Sequence, residues 1–318
     1  CKTQVMSNIK NVTVVGTGVI GAGWIIRCLA HNKKVAAYDK DLKLKTKLVA
    51  EIKRTWPYVK KLFNKKKLNL KNFTYFISIK EALKNADFIQ ECASENYVIK
   101  TKLMRLIGKY AKPNAIISSS SSGLLPTRIY SKCKNPARTM IGHPFNPVYM
   151  CPGVEIVPGK KTKKKFLNKA NKFYKSISMN PIMVKKELPG YLADRLQEAL
   201  WREALHIVNE GYASTKDLDR AIEDGPGLRW SLMGIFLTYH LAGGKAGMKH
   251  MLEQFGPALK LPWTKLKAPK LSKKLSSRII TGTKQQAKGK SVAMISNIRD
   301  EYLVNLQKLR KRYENKVR

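Results

Sequence analysis

The apolar residues of the first half of the chain fall into short runs separated by longer amphipathic stretches. Amphipathic stretches typical of helices lie between the early runs, at 21–32 and 42–62. Alternation of this kind predicts a parallel sheet with helices on both faces. The runs typical of β-strands are 11–15, 34–39, 87–92, 115–119, 139–143, 153–157 and 181–184.

The pattern becomes helical after Pro189. Apolar residues recur at helical spacing from Leu192 through Leu196 and Leu200, and Gly211 predicts the end of that helix. A capping box at Ser214, three residues before an aspartate, predicts the start of the next one.

The remainder reads as helix to about residue 256, as an irregular Pro- and Lys-rich segment at 257–290, and as a final helix at 291–315. We therefore predict an α/β fold class: a Rossmann-type doubly wound sheet at 7–187, followed by an all-α C-terminal domain at 188–318.

A glycine-rich loop follows the first predicted strand in TVVGTGVIGAGW. Its glycines fit a GxGxxG pattern, in which the first permits a tight turn, the second admits a pyrophosphate and the third lets the helix pack close to the sheet. The N-terminus of the helix that follows then faces the phosphate charge. The predicted cofactor-binding residues here are Gly16, Gly18, Val19, Ile20 and Gly21.

The second strand ends in Asp39, eighteen residues after Gly21. A carboxylate at this position accepts hydrogen bonds from the adenosine ribose and repels a 2′-phosphate. The sequence therefore predicts NAD as the cofactor, in preference to NADP, although Lys40 and Lys43 weaken this preference slightly.

Charge and cysteine content narrow the remaining classes of protein. The net charge is +41, which makes nucleic acid an obvious partner to consider, but the lysines are spread over most polar stretches and no RNA-binding or zinc-finger signature is present. A general lysine bias is the favoured interpretation, and a polyanion-binding protein on a dehydrogenase fold is the alternative from another class.

No apolar run has membrane-spanning length, so no membrane association is expected. The cysteines are scattered and unpaired in spacing, which predicts free thiols, no metal site and a cytoplasmic location. They are Cys1, Cys28, Cys92, Cys133 and Cys151.

The stretch GHPFNPVYMCPGVE contains the candidate catalytic base. His143 closes a predicted strand, and the carboxyl ends of strands in a doubly wound sheet gather the ligand. Oxidation of an alcohol needs a base that works near neutral pH. Histidine can act as such a base without a large shift of its pKa. Glu155, on the next strand, is placed to hold the other ring nitrogen. The alternative is a structural histidine in a stiff, proline-flanked loop.

The motifs GTGVIG, ECASENYVIK, SSSSSGL, GHPFNPV, VEIV and PGYLADRL occur in the order found in the 3-hydroxyacyl-CoA dehydrogenase superfamily, which the chain resembles over residues 9–250. The resemblance implies NAD-dependent hydride transfer with a catalytic His143–Glu155 pair and a homodimer formed by the helical domain. It also implies that Ser122 hydrogen-bonds the reacting oxygen and that Asn146 lies at the nicotinamide and substrate. The alternative for Ser122 is a polar strand end.

The same resemblance implies that Glu95 and Lys100 line the cofactor site. The alternative is a solvated pair on a helix. Asp194 departs from the acyl-CoA branch, which has asparagine there, so the role of that asparagine does not transfer directly.

Arg229 and Trp230 stand where acyl-CoA enzymes have a Tyr-Pro pair. Members that act on free hydroxy acids have arginine here, and a free carboxylate needs a paired cation, for which a guanidinium is suited. The alternative is a salt bridge from Arg229 to Asp224 or Glu223.

Two stretches of the helical half, LQEALWREALHIVNEGYAS and RWSLMGIFLTYHLAGGKAGMKHMLEQFGPALKLPWTKLKAPKL, are similar to the L-carnitine 3-dehydrogenase branch of the superfamily. This similarity implies a carnitine-like hydroxy acid as substrate. Aromatic faces hold quaternary ammonium groups, and an unpaired Asp194 would add negative potential. We expect two or three of the candidate aromatics to touch the ligand, the alternative for each being a core position. Gulonate 3-dehydrogenase and 3-hydroxybutyryl-CoA dehydrogenase are the alternative activities. The candidate aromatics are Trp201, Trp230, Phe236, Tyr239 and Trp263.

Overall fold

The computed structural model describes residues 9–65, 67–267, 270 and 272–317. The chain divides into two compact units, Cys1–Arg195 and Leu196–Arg318. The domain boundary predicted between residues 187 and 188 lies N-terminal to this division. The predicted domain start at residue 7 and the expected free thiol of Cys1 lie outside the described residues.

The first unit is built on an eight-stranded sheet. Its strands are β1 (Asn11–Val15), β2 (Lys34–Tyr38), β3 (Phe73–Phe76), β4 (Phe88–Glu91), β5 (Ile116–Ser119), β6 (Thr139–Pro144), β7 (Gly153–Pro158) and β8 (Asn180–Met183). The helices of this unit are α1 (Val19–Ala30), α2 (Leu44–Phe63), α3 (Ile79–Leu83), α4 (Tyr97–Tyr110), α5 (Pro126–Ile129) and α6 (Lys164–Ser176).

The strand order is β3-β2-β1-β4-β5-β6-β7-β8. Its first six strands are the Rossmann arrangement, with the reversal of winding between β1 and β4, where such folds bind their ligands. The predicted strands and the doubly wound class are confirmed. The sequence pattern missed β3, a short and only half-buried edge strand, although its sequence FTYF is rich in the aromatic residues that strands favour.

The prediction that the sheet is wholly parallel is wrong at β7. This strand pairs with β6 in the antiparallel direction, and β8 runs parallel to β7. The connection at 145–152 is too short for the crossover that a parallel pair requires, so the chain turns back on itself.

The central strands are buried on both faces, as expected for a sheet covered by helices. β4 and β5 have apolar residues in their first halves and buried polar residues at their carboxyl ends. These polar ends are Gln90 and Glu91 on β4 and Ser118 and Ser119 on β5. The buried polar groups therefore collect at the edge of the sheet where a ligand is expected.

The second unit is helical beyond the start of α7. Its helices are α7 (Ala193–Glu210), which begins in the first unit, α8 (Thr215–Glu223), α9 (Pro226–Trp230), α10 (Ile235–Ala242), α11 (Gly247–Phe255), α12 (Lys273–Ala287) and α13 (Val292–Val317). The Ser214 capping box and the final helix are confirmed.

The prediction of an irregular segment at 257–290 is wrong for α12. Ser272 caps this helix by accepting a hydrogen bond from the backbone N–H of Leu275, whose side chain is buried. The segment was predicted to be irregular because it is rich in lysine and has few apolar residues. Lysine is nevertheless a good helix former.

Much of the apolar surface of the second unit is exposed. In α7, Leu205 and Val208 are buried, whereas Leu196 and Leu200 of the predicted apolar face are exposed. In α10 no residue is buried, and Phe236 is 83% exposed. Within the described ranges, every helix falls short of the combined length and apolarity needed to cross a bilayer.

Candidate active site

The loop after β1 has the shape that a dinucleotide requires. Gly16 has a φ of +96°, and Gly21 is so close to it that a Cβ would lie 1.9 Å from the Gly16 carbonyl oxygen. α1 therefore starts directly against the turn. A Cβ at Gly18 would meet no atom within 4 Å, and Gly18 caps α1 without a side-chain hydrogen bond. A pyrophosphate can therefore approach the backbone at Gly18, at the N-terminus of the helix that begins with Val19 and Ile20.

Asp39 lies directly over this loop. Its Oδ2 accepts hydrogen bonds of 2.9 Å from both the backbone N–H and the hydroxyl of Thr17. These bonds fix the carboxylate at the end of β2, next to the position that a ribose occupies in this fold. Thr17 was not among the sequence-predicted residues, although its place inside the glycine loop and before a fixed acid was a usable signal.

Lys100 is buried, so the interpretation of Glu95 and Lys100 as a solvated pair is wrong for the lysine. Its Nζ lies 3.0 Å and 3.1 Å from the two carboxylate oxygens of Glu91 and donates to the carbonyl of Ala93 at 2.9 Å. Nζ is also 3.6 Å from Glu95 Oε2. Sequence reasoning missed Glu91, whose signal was an acid ending a buried strand.

Glu95 organises the loop that carries Ser122. Its Oε1 accepts hydrogen bonds from the hydroxyl of Ser121 at 2.5 Å and from the backbone N–H groups of Ser122 and Gly123 at 3.0 Å and 3.2 Å. Because the carboxylate takes these donors, the backbone on either side of Ser122 is fixed while its own side chain is exposed.

The other serines of this run are engaged elsewhere. The hydroxyls of Ser118 and Ser119 are buried against Tyr174 and Glu91, and Ser120 accepts from Trp24 Nε1. Ser121 is also buried and Ser120 is half-buried, so Ser122 is the exposed member of the run. The choice of Ser122 from the resemblance therefore has a geometric counterpart.

His143 and Glu155 face each other across the antiparallel β6–β7 pair, as registered partners. His143 Nδ1 lies 2.8 Å from Glu155 Oε2, and the Glu155 side chain is fully buried. Because an ionised carboxylate only accepts hydrogen bonds, Nδ1 carries the ring proton of the neutral imidazole and Nε2 carries a lone pair. This is the tautomer that a general base needs.

Glu155 is itself fixed by the start of α7. Its Oε1 accepts from the backbone N–H groups of Leu192 and Ala193 at 2.9 Å and 3.1 Å. These two donors hold the carboxylate and bring the next residue, Asp194, beside the imidazole. Asp194 Oδ2 lies 3.6 Å from His143 Nε2. The description of Asp194 as unpaired is therefore wrong.

Asn146 is exposed and lies in the turn between β6 and β7. The chain after it is tied to α1 by the buried Arg27, which donates to the carbonyls of Val148 at 2.7 Å and Cys151 at 2.9 Å. Burial lowers the pKa of Arg27 to about 10. Arg27, which the sequence reading also missed, thus links the cofactor helix to the turn that carries Asn146.

The predicted substrate-binding side chains other than Asp194 belong to the second unit. Arg229 is exposed at the end of α9, and Asp224 lies 3.6 Å from Arg220 Nε in the preceding helix. Over the described ranges, the structure pairs Arg229 with no carboxylate, so it gives no support to a salt bridge with Asp224 or Glu223. The candidate aromatics are not core residues: Trp201, Phe236, Tyr239 and Trp263 are exposed and Trp230 is partly buried.

The described residues contain no group of three His, Cys, Asp or Glu side chains arranged to hold a metal ion. Cys28, Cys92, Cys133 and Cys151 are free thiols. Burial raises the pKa of both Cys28 and Cys92 to about 12, so neither is a reactive thiolate near neutral pH.

Known proteins are similar to this chain over most of its length. An L-carnitine dehydrogenase of Oceanobacillus iheyensis is 49% identical over 94% of this chain and 97% of its own length. An L-carnitine dehydrogenase of Bacillus cereus is 45% identical over 96% of this chain and 94% of its own length. Among solved structures, an NAD+-dependent dismutase, FHMPC 5-dehydrogenase, superposes with a TM-score of 0.79 at 21% identity, covering 95% of this chain and 99% of that one.

Two family domains account for most of the sequence. Residues 11–188 match the 3-hydroxyacyl-CoA dehydrogenase NAD binding domain, and residues 190–288 match the 3-hydroxyacyl-CoA dehydrogenase C-terminal domain. The glycine loop, the Asp39 carboxylate and the His143–Glu155 pair all lie in the first of these. The chain therefore belongs to the 3-hydroxyacyl-CoA dehydrogenase family.

Proposed function

We propose that this protein oxidises the 3-hydroxyl of L-carnitine to 3-dehydrocarnitine with NAD as cofactor. The observation that carries the proposal is the identity of 45–49%, over nearly the full length of both chains, to proteins named L-carnitine dehydrogenases. The oriented His143–Glu155 pair supplies the base that this oxidation requires.

In the proposed reaction, His143 Nε2 accepts the proton of the 3-hydroxyl. NAD bound at the glycine loop supplies the acceptor for the hydride that leaves C3. Glu155 keeps the imidazole in the required tautomer and stabilises the imidazolium after proton transfer. Ser122 and Asn146 donate hydrogen bonds to the oxygen as it becomes a carbonyl, since both are exposed at the carboxyl-end edge of the sheet.

The two ends of carnitine need different partners. Arg229 binds the carboxylate, because a guanidinium offers two parallel donors and no described carboxylate neutralises it. Exposed aromatic faces of the second unit hold the trimethylammonium group by cation–π attraction. Glu95 and Lys100 belong to the cofactor side of the proposal, where Glu95 positions the Ser122 loop.

The substrate assay tests the activity directly. NAD reduction is measured with L-carnitine, gulonate and 3-hydroxybutyryl-CoA, and we expect carnitine to be preferred in kcat/KM. Absence of carnitine turnover refutes the proposal, and turnover of one of the other two identifies the activity in its place.

Arg229→Ala tests the carboxylate contact. We expect kcat/KM for carnitine to fall by about 10- to 100-fold, the value of a charge-assisted hydrogen bond, without a change in NAD affinity. Arg220→Ala, which removes another exposed arginine that already faces Asp224, is the matched control and should have little effect. Equal behaviour of the two variants would make Arg229 structural.

A homodimer and a cytoplasmic location complete the proposal. The support for a dimer is the exposed apolar surface of α10, where Leu241 is 63% exposed, together with the family resemblance. The free thiols suit a reducing compartment. Light scattering should give twice the chain mass for the wild type and for Leu42→Asp in the first unit, and a monomer for Leu241→Asp. A monomeric wild type excludes the dimer.

A further inference from the structure

Two carboxylates flank the imidazole of His143. Glu155, on the Nδ1 side, is fully buried, whereas Asp194, on the Nε2 side, is 29% exposed. The backbone N–H groups of Leu192 and Ala193 bind Glu155, so the start of α7 is attached to β7 and Asp194 has a fixed place beside Nε2. The acid that faces the reacting edge of the base is therefore a built feature of the site.

The contact between Nε2 and Asp194 is unusual in its chemistry. With the ring proton on Nδ1, Nε2 presents a lone pair, and a carboxylate also presents only lone pairs. In the neutral form of His143, Nε2 is therefore an acceptor that lies 3.6 Å from a second acceptor, the Asp194 carboxylate. A substrate bound at this edge can offer an O–H donor to Nε2 and a positive charge to Asp194.

A β-hydroxy-γ-ammonium acid brings both groups at the right separation. Its hydroxyl oxygen and ammonium nitrogen are on adjacent carbons, so they lie on the order of 3–4 Å apart for bonds of about 1.5 Å. When the hydroxyl donates to His143 Nε2 and the C3–C4 bond points toward Asp194, the ammonium group lies within a few ångströms of the Asp194 carboxylate. A quaternary ammonium has no N–H, so its attraction to Asp194 is purely electrostatic.

We propose that Asp194 is a specificity-determining residue, whose carboxylate selects substrates that carry a positive charge on the carbon next to the reacting carbinol. This inference rests on the proposed function, because it takes carnitine as the substrate. The negative charge that attracts the ammonium group then lies in the first unit, beside His143. This role also explains why the chain has aspartate where acyl-CoA enzymes have asparagine. The acyl chain of an acyl-CoA substrate is uncharged next to the carbinol and has no positive charge for the carboxylate to attract.

The competing role for Asp194 is to orient His143 only. An orienting residue affects every substrate alike, whereas a charge-recognising residue changes the ratio between a cationic substrate and its neutral isostere. The neutral isostere of carnitine is 3-hydroxy-5,5-dimethylhexanoate, in which a tert-butyl group replaces trimethylammonium at nearly the same size.

The experiment compares kcat/KM for L-carnitine and for this isostere in the wild type, Asp194→Asn and Asp194→Glu. Asparagine keeps the size and removes the charge, and the carnitine-to-isostere ratio is expected to fall roughly 30-fold, after allowance for solvent screening at a partly exposed acid. Glutamate keeps the charge and should retain most of the ratio. Circular dichroism and NAD titration establish that each variant is folded.

The outcomes distinguish a failure of the specificity role of Asp194 from a failure of the proposed carnitine oxidation. An unchanged ratio in Asp194→Asn overturns the role of Asp194 in specificity, even when both rates fall, because that result describes an orienting residue. A ratio that falls equally in Asp194→Glu also overturns it. Absence of carnitine oxidation by the wild type contradicts the proposed function itself, and is seen before any variant is made.

Discussion

Replacement of Glu155 by glutamine is the most demanding test of the catalytic pair, because the structure fixes how the new amide must orient. Two backbone donors, the N–H groups of Leu192 and Ala193, point at Oε1 of the present carboxylate. A glutamine therefore turns its carbonyl oxygen toward them, and its NH2 group faces His143 Nδ1. An NH2 group donates, so Nδ1 becomes the acceptor and the ring proton moves to Nε2.

The imidazole is then held in the tautomer that has no lone pair at the reacting edge. Where a buried acid behind a catalytic histidine is replaced by its amide, loss of the correct tautomer lowers kcat by about 10⁴-fold, which is about 5 kcal/mol of transition-state stabilisation. We expect a loss of 10³- to 10⁴-fold in kcat for Glu155→Gln, with folding preserved because the hydrogen bonds to the start of α7 remain.

The assay is steady-state NAD reduction by L-carnitine, with NAD affinity and the thermal midpoint measured on the same preparation. A kcat within about tenfold of the wild-type value would refute the tautomer argument. Glu155→Ala is the informative companion, because it leaves the tautomer free but removes the acceptor of two partly buried N–H groups, at up to about 1–3 kcal/mol each in stability. The glutamine variant should thus be the more stable of the two.

Three further predictions concern Asp39, the glycines of the cofactor loop and His31 at the end of α1. Asp39→Ser should raise KM for NAD by about tenfold and reduce the preference for NAD over NADP, because charge-assisted hydrogen bonds to the ribose are lost. An unchanged ratio of kcat/KM for the two cofactors would contradict this. Gly21→Ala places a Cβ 1.9 Å from the Gly16 carbonyl oxygen and should lower the free energy of unfolding in urea by about 1–3 kcal/mol or more. Gly18→Ala, whose Cβ meets no atom within 4 Å, should weaken NAD binding without that loss of stability. Burial lowers the pKa of His31 to about 4 from 6.5, so the unfolded chain binds this proton first and stability falls as the pH drops from about 6.5 to 4, by up to about 3 kcal/mol. His31→Gln should flatten that slope in urea titrations at several pH values, and an identical slope would show that another group is responsible.

The features that were predicted correctly from the sequence are those that depend on local sequence patterns. The glycine loop, the strand that ends at Asp39 and the helix N-cap at Ser214 each depend on residues close together in the chain. His143 and Glu155 are only twelve residues apart, so their pairing also follows from two neighbouring strands.

The features that the sequence did not reveal depend on tertiary contacts. Lys100 looks like a surface lysine until the fold places Glu91 beneath it, and Arg27 shows no sign of the carbonyls that surround it. The position of Asp194 next to His143 depends on how α7 begins against β7, which no periodicity encodes. For these residues the burial and the partner are both set by segments far away in the sequence.

The antiparallel direction of β7 has a consequence for how this enzyme can change over evolution. Because His143 and Glu155 are opposite each other in a strand ladder, their spacing is set by the register and not by the turn at 145–152. Changes in the turn act on Asn146 and on the carbonyls that Arg27 binds, while the pair stays in place. A single-residue insertion within either strand would instead send one partner to the opposite face of the sheet. The hairpin thus separates two functions: the strand register positions His143 and Glu155, and the turn positions Asn146, so that evolution can alter one without moving the other.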